Sequence, residues 1–175
     1  MYKKILKDII VRNQELLFEL NVVSRDFQYE KLANYVIVGP RRAGKTYLLY
    51  QIIQQNFKDR PQEVLYINFE DERLMEMTHL DFQVILDCYY EIYSHLKPIL
   101  FFDEIQNISH WEKFARRMAD EQYHIYITGS NANMLSHQIG TTLGGRFIIY
   151  EASTLTFREF LKFKNVTLKD HYEHA

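Results

Sequence analysis

Four short stretches of this sequence combine residue types that phosphate chemistry requires. The first runs from Gly39 to Thr46 and places the triplet Gly44-Lys45-Thr46 five positions after Gly39. Glycine at these positions lets backbone N–H groups surround a phosphate chain, while the lysine reaches the β- and γ-phosphates and the threonine binds Mg²⁺. A plain glycine turn is the alternative. We call residues 39–46 the phosphate loop and expect nucleotide binding by Gly39, Pro40, Arg41, Arg42, Ala43, Gly44, Lys45, Thr46 and Tyr47.

A second stretch places two acidic residues directly after four large apolar ones. Residues 99–102 read Ile-Leu-Phe-Phe and are followed by Asp103 and Glu104. A buried strand with this ending carries carboxylates to the sheet edge where the metal ion of a nucleotide lies. We predict that Asp103 holds Mg²⁺ through water and that Glu104 orients and activates a water for attack on the γ-phosphate. Taken alone, the pattern also occurs at ordinary strand ends.

Polar residues also follow the fourth predicted strand, residues 124–128. If this strand lies next to the strand before the phosphate loop, a side chain at its tip can hydrogen-bond the attacking water or the γ-phosphate. Ser130 is the first candidate, followed by Thr128 and Asn131. The same residues suit a strand-to-helix turn with a serine or asparagine N-cap, and the two roles are compatible.

A glycine-rich stretch precedes the fifth predicted strand. Residues 137–145 contain three glycines and two threonines, from which we expect a flexible loop that leads to Arg146. An arginine beside a nucleotide site can stabilise charge on a transferring phosphoryl group, from the same chain or across an interface. An ordinary surface arginine is the alternative.

An alternation of strands and helices must position these candidates. Apolar runs predict buried parallel strands, and apolar residues at three-to-four spacing predict helices. The predicted strands are residues 35–39, 63–69, 99–102, 124–128 and 147–150. The predicted helices are residues 3–20, a helix after the phosphate loop, and residues 80–96, 110–121 and 156–163, with a short helix and connectors in 21–34.

The composition fits one globular α/β domain of 175 residues. We divide it into a helical N-terminal segment, residues 1–34, and a core, residues 35–175. Apolar residues make up 47% and charged residues 25%, which excludes a disordered or membrane-embedded chain. The net charge of −2 gives nucleic-acid binding no electrostatic support. Cys88 is the only cysteine, which favours a reducing compartment such as the cytoplasm, and no signal peptide or membrane span is expected.

Taken together, these motifs resemble those of prokaryotic P-loop ATPases of the AAA superfamily. Members carry the motifs GPRRxGKT, DEIQ, TGS and LxGR. Here they read GPRRAGKT at 39–46, DEIQ at 103–106, TGS at 128–130 and LGGR at 143–146. The similarity also includes INFED at 67–71 and LTFREF at 155–160, so it covers nearly the whole chain from residue 25 onward.

The resemblance implies a three-layer α/β core with a five-stranded parallel sheet of order 5-1-4-3-2 and helices on both faces. It also implies ATP and Mg²⁺ as ligands, Glu104 as the catalytic acidic residue, Ser130 as a sensor and Arg146 as a finger-like arginine. Family members usually have a proline where this chain has Ser153 and Thr154, and they continue into a winged-helix-like and effector region. We therefore expect an ATPase portion whose partner is a C-terminal effector region or another protein.

Several functions remain open at this stage. The principal hypothesis is an ATP hydrolase that acts as a molecular switch. An ATP-dependent binding module with negligible hydrolysis in isolation is the alternative, because Arg146 or a missing region could have to come from a partner. A small-molecule kinase fits less well, since a glutamate directly after the metal-binding aspartate suits attack by water. A DNA-linked role follows only from family analogy.

Overall fold

The computed structural model describes residues 2–31, 33–130 and 137–166. Its five strands are β1 (Asn34–Val38), β2 (Val64–Asn68), β3 (Ile99–Asp103), β4 (Ile125–Gly129) and β5 (Phe147–Glu151). They form one parallel sheet in the order β2-β3-β4-β1-β5, which is the predicted order 5-1-4-3-2 read from the other edge. The predicted fold class is confirmed, and each strand boundary lies within one residue of its predicted position.

Helices cover both faces of the sheet. They are α1 (Tyr2–Glu19), α2 (Lys45–Phe57), α3 (Phe82–Ile92), α4 (Trp111–Asp120), α5 (His137–Leu143) and α6 (Phe157–Phe163). Successive side chains of a strand point to opposite faces. Val36 and Val38 of β1 accordingly join the apolar cluster that packs α1, α3 and α4, whereas Tyr35 and Ile37 join the cluster that packs α2.

The segment between α1 and β1 differs from the prediction. The short helix expected within residues 21–34 is absent from residues 21–31 and 33–34. The backbone of Arg25 instead bonds the side chain of Gln51 twice, N–H to Oε1 at 2.7 Å and carbonyl to Nε2 at 3.1 Å. Phe27 packs against Tyr150, with ring centroids 4.4 Å apart. The prediction was wrong because contacts with α2 and the sheet replace helical hydrogen bonds.

The glycine-rich stretch before β5 is also not the flexible loop that we expected. Residues 137–143 form α5, and Leu143, 2% exposed, joins the core cluster of α4. Gly144 and Gly145 then have φ values of 59° and 72°. Glycine adopts this left-handed conformation readily and commonly ends a helix with it. The glycines therefore terminate α5. Asn131 lies outside the described residues.

Candidate active site

The phosphate loop connects β1 to α2 at the carboxyl edge of the sheet, where parallel α/β sheets bind ligands. Gly39 follows β1 directly with a φ of 149°, and a Cβ on it would lie 2.2 Å from the carbonyl oxygen of Ala152. The N–H of Ala152 donates to the carbonyl of Val38 at 2.7 Å. The start of the loop is therefore held against the chain that leaves β5, at a distance that only glycine permits.

Left-handed backbone conformations shape the rest of the loop. Arg42 has a φ of 66° and Gly44 a φ of 83°. Between them Ala43 is buried, and its N–H donates to the carbonyl of Pro40 at 3.2 Å. Gly44 is the N-cap of α2, so the loop leads directly to the free N–H groups of a helix N-terminus, which attract anions. Four of the predicted nucleotide contacts are exposed around this turn: Pro40, Arg41, Arg42 and Tyr47.

Lys45 lies at the centre of the site and is 3% exposed. Its ammonium donates to the carbonyl of Pro40 at 3.1 Å and lies 3.6 Å from Oε1 of Glu104. A buried charge needs such partners because its desolvation is costly. The predicted phosphate-binding lysine and the predicted water-activating glutamate thus face each other directly.

Asp103, the last residue of β3, is 1% exposed and is bonded by hydroxyl groups. Thr128 donates to its Oδ1, and Tyr66 donates to its Oδ2 at 2.9 Å. Burial raises the pKa of Asp103, although the nearby hydroxyl groups of Thr128, Thr46 and Tyr66 oppose the rise. The two predicted metal ligands, Thr46 and Asp103, therefore lie side by side.

Glu104 leaves the strand with a left-handed φ of 51°. Its N–H donates to Oγ1 of Thr128 at 3.0 Å, and its Oε2 accepts a hydrogen bond from Nε2 of Gln106 at 2.6 Å. The same Nε2 lies 3.3 Å from Oγ of Ser130. Gln106 therefore connects the predicted catalytic glutamate to the predicted sensor. Its Oε1 is buried and has no hydrogen-bond partner in the part of the chain that the structure describes.

Arg146 lies at the opposite ends of the strands from the phosphate loop, at the amino edge of the sheet. It precedes Phe147, which pairs with Asn34 at the amino end of β1, whereas the phosphate loop follows Val38 at the carboxyl end. Four residues of strand separate these ends, about 13 Å at ~3.3 Å per residue. The guanidinium bonds Asp120 at the end of α4. The structure thus leaves Arg146 apart and brings together the other predicted catalytic and metal-binding residues: Lys45, Thr46, Asp103, Glu104 and Ser130.

The oxygen donors of the site suit Mg²⁺. The Thr46 hydroxyl and the Asp103 carboxylate are hard ligands, and magnesium is usually held by one or two such groups together with substrate phosphates. These two donors therefore fit a metal ion that binds with a nucleotide. Among residues 2–31, 33–130 and 137–166, no group of three or more His, Cys, Asp or Glu side chains is arranged to hold a metal ion.

A cavity of about 540 Å³ adjoins the phosphate loop. Its walls come from the segment before β1, from the loop itself and from the region of α6. Val23, Tyr47, Leu155 and Phe163 give it apolar surface, and Arg25 lines the same cavity. This volume is in the usual range for small-molecule sites.

Sequence reasoning missed three side chains that shape this site. They are Arg25, which lines the cavity, Tyr66, which bonds Asp103, and Gln106, which bonds Glu104. The DEIQ motif includes Gln106, so its place two residues after Glu104 could have suggested a role. No spacing or composition signal distinguishes Arg25 or Tyr66, because their roles depend on contacts between distant parts of the chain.

The sheet order and the phosphate loop define an α/β domain of the P-loop class. The family model described as AAA domain matches residues 33–161. This chain belongs to that family, as its sequence motifs predicted.

Two curated relatives extend the comparison. An uncharacterized protein of Methanocaldococcus jannaschii is 43% identical over 173 residues, which cover 97% of this chain and 38% of the relative. An uncharacterized protein of Haemophilus influenzae is 35% identical over 159 residues, which cover 83% of this chain and 39% of the relative. The chain therefore spans less than two fifths of the length of either relative.

Two solved structures share the fold. AMPPCP-bound DnaA from Aquifex aeolicus matches with a TM-score of 0.50 and 18% identity, over 93% of this chain and 52% of DnaA. Cdc6p from Pyrobaculum aerophilum matches with a TM-score of 0.50 and 15% identity, over 89% of this chain and 49% of Cdc6p.

Within residues 2–31, 33–130 and 137–166, no helix has the length and apolar character that a membrane span requires.

Proposed function

We propose that this domain binds ATP with Mg²⁺ and hydrolyses it, and that it acts as a nucleotide-driven molecular switch. The observation that carries the proposal is the contact between the phosphate loop and the acidic end of β3. The ammonium of Lys45 lies 3.6 Å from the Glu104 carboxylate, and the hydroxyl of Thr46 is close enough to Asp103 to oppose the rise that burial causes in the pKa of its carboxyl group. Groups suited to binding phosphate, metal and water thus converge beside a helix N-terminus. Membership of the AAA family supports ATP as the nucleotide.

The phosphate loop and α2 bind the phosphate chain through their N–H groups. Lys45 moves from Glu104 to the β- and γ-phosphates, because a phosphate offers more negative charge than one carboxylate. Thr46, and Asp103 through water, would hold Mg²⁺, which would neutralise charge on the phosphates. These movements release Glu104 from its cation.

The released Glu104 carboxylate accepts a proton from the water that attacks the γ-phosphate. Gln106 holds Oε2 of Glu104, so the other carboxylate oxygen is left to face the water. Ser130 lies within hydrogen-bond distance of Gln106 and serves as the sensor of the γ-phosphate. Catalysis therefore depends on side chains at the ends of two adjacent strands, β3 and β4.

The cavity beside the phosphate loop receives the base and the ribose. Tyr47, 51% exposed on the first turn of α2, and Phe163 of α6 line it and offer aromatic surface for stacking. The base therefore lies between the segment before β1 and α6, with the phosphates in the loop.

Arg146 acts on the phosphates of a neighbouring copy of the chain. Its place at the amino edge of the sheet does not suit a contact with the phosphate loop of its own chain. Its bond to Asp120 is partly exposed, which leaves Arg146 available to another molecule.

The partner that responds to the nucleotide state is a C-terminal effector region or another protein. The proposed location is the cytoplasm, which the buried, unpaired Cys88 supports.

A nucleotide-dependent binding module with negligible hydrolysis in isolation is the second candidate. It is favoured by the pairing of Glu104 with Lys45 and by the distance of Arg146 from the phosphate loop within one chain. In this case the domain binds ATP and awaits a partner before it turns over.

The two candidates differ in phosphate release by the purified chain with Mg²⁺ and ATP. Under the principal proposal, the wild-type chain releases phosphate slowly, and Glu104→Gln binds ATP but turns over at least ~100-fold more slowly. A matched control is Glu112→Gln, an acidic residue of α4 outside the site. Wild-type turnover by Glu104→Gln would remove the water-activating role. Tight ATP binding with no phosphate release by wild-type protein would establish the binding module.

A further inference from the structure

Arg25 and Glu159 form a buried ion pair between the segment before β1 and α6. Their side chains are 9% and 7% exposed. Nε of Arg25 donates to Oε1 of Glu159 at 3.0 Å, and Nη2 donates to Oε2 at 3.3 Å. The carboxylate also accepts the N–H of Asp26 at 3.3 Å and that of Thr156 at 2.8 Å. Bonding at both oxygens fixes the plane of the guanidinium.

The remaining donors of Arg25 reach two further parts of the chain. Nη1 donates to the carbonyl of Ala43 in the phosphate loop at 2.7 Å, and Nη2 donates to the carbonyl of Ser153 after β5 at 3.1 Å. A planar guanidinium holds several acceptors in a fixed relation, which the single ammonium of lysine cannot do. Arg25 therefore links α6 and the end of β5 to the phosphate loop.

The contact with Ala43 determines the direction of the next N–H group. In a planar trans peptide, the carbonyl and the N–H point in opposite directions. Because the Ala43 carbonyl is directed at Arg25, the N–H of Gly44 is directed to the other side of the loop. This N–H lies in the glycine-rich turn whose backbone N–H groups bind phosphate in loops of this type.

We propose that Arg25, held by Glu159, is a positioning residue of the phosphate loop. It keeps the peptide between Ala43 and Gly44 in the orientation that binds a nucleotide phosphate, without touching the phosphate itself. The inference rests on the proposed function, because it assigns a role in nucleotide binding. It also couples α6 to the site: displacement of α6 weakens phosphate binding, and by linkage bound phosphate stabilises the docking of α6.

The local backbone explains why such a restraint is useful. Arg42 has a positive φ, which is unfavourable for a residue other than glycine, and Gly44 follows two positions later with another. The peptide between Ala43 and Gly44 adjoins a glycine with many accessible conformations. A Cβ on Gly44 would lie 3.5 Å from Nη1 of Arg25, so the guanidinium lies beside this glycine as well as bonding Ala43.

A double variant separates positioning from simple structural support. Arg25→Met with Glu159→Leu replaces the ion pair by apolar groups, a change that often preserves stability. Lys162→Met is the matched control, because Lys162 of α6 also bonds the segment before β1, at the carbonyl of Ser24, but does not contact the loop. The readouts on the full chain are the Kd for inorganic tripolyphosphate, the Kd for ATP, the unfolding midpoint, and the Gly44 amide resonance in ligand-free protein.

We expect the double variant to bind tripolyphosphate and ATP about tenfold more weakly and to show a shifted Gly44 amide resonance. We expect the Lys162→Met control to match wild-type protein in both. Tripolyphosphate has no base, so its loss of affinity reports the phosphate loop and not the adjoining cavity. Wild-type affinity and an unshifted Gly44 resonance in a folded double variant would overturn the inference and leave the proposed function intact.

Arg25→Lys tests the same point if the double variant does not fold. It keeps the charge opposite Glu159 but cannot reach all the acceptors of Arg25, so tripolyphosphate affinity falls several-fold. Unchanged affinity would overturn the inference. If wild-type protein binds neither tripolyphosphate nor ATP, the proposed function fails, and the inference fails with it.

Discussion

The two edges of the sheet hold basic residues in contrasting surroundings. At the carboxyl edge, Lys45 is 3% exposed and faces Glu104, which is itself buried. At the amino edge, the side chain of Arg146 is 32% exposed and bonds Asp120, whose side chain is 49% exposed. The first pair lies in a low dielectric, and the second lies where water and salt screen it.

This difference determines how easily each cation can change partner. Separating Lys45 from Glu104 without a replacement leaves two buried charges, which is costly, so the lysine changes partner only when another anion enters the site. Arg146 can leave Asp120 at little cost because exposed ion pairs contribute between 0 and about 1 kcal/mol. The carboxyl edge therefore suits a ligand-driven rearrangement within one chain, and the amino edge suits contact with a second molecule.

The largest effect is expected from Lys45→Ala. We expect ATP affinity to fall more than ~100-fold, because the charge-assisted bonds to phosphate are lost. We also expect the free energy of unfolding to fall by about 3 kcal/mol, since Glu104 loses its buried cation. Equilibrium binding of a fluorescent ATP analogue and urea denaturation measure the two effects. Lys58→Ala, an exposed residue at the end of α2, is the control, and unchanged binding by Lys45→Ala would contradict nucleotide binding by this loop.

A smaller effect is expected from Gln106→Leu. Its bond to Oε2 of Glu104 is lost, so turnover should fall about tenfold while ATP affinity stays within about twofold. Steady-state turnover and equilibrium ATP binding, measured on the same preparations, separate the effect on catalysis from the effect on affinity. Gln55→Leu, on the exposed side of α2, supplies the control. An equal loss of binding and turnover would instead indicate that Gln106 supports the loop.

The smallest effect on the isolated chain is expected from Arg146→Ala. Unfolding free energy should change by less than about 1 kcal/mol, because the lost pair is partly exposed. Turnover at low protein concentration should match the wild type, and any rise of wild-type turnover with protein concentration should be absent from the variant. Asp120→Asn, which breaks the same pair but keeps the arginine, should retain that rise. Loss of turnover by Arg146→Ala in dilute, monomeric protein would contradict action across an interface.

Much of the fold was predictable because it depends on short-range patterns. Apolar runs located all five strands to within one residue. The outer strand β5 was expected to be buried like the others, but Ile148 and Ile149 are 44% and 45% exposed. The segment 21–34 failed for the opposite reason: Arg25 satisfies its backbone through Gln51, a residue of a helix that comes later in the chain. The glycines at 144 and 145 led us to predict a flexible loop, but they end α5 instead. Glycine is common both in loops and at helix ends, so its presence alone does not distinguish the two.

The sequence by itself determined which chemical groups are available. It supplies a lysine, two carboxylates and a glycine-containing loop at defined spacings, and these functional groups do not depend on the fold. Only the tertiary structure decided which groups meet. It brought Lys45 to Glu104 and left Arg146 at the other edge, because strand direction and register set the distances between residues remote in sequence. It also placed Arg25 and Glu159, 134 positions apart, beside the phosphate loop. Such contacts arise when distant parts of the chain pack together, so local sequence patterns do not predict them.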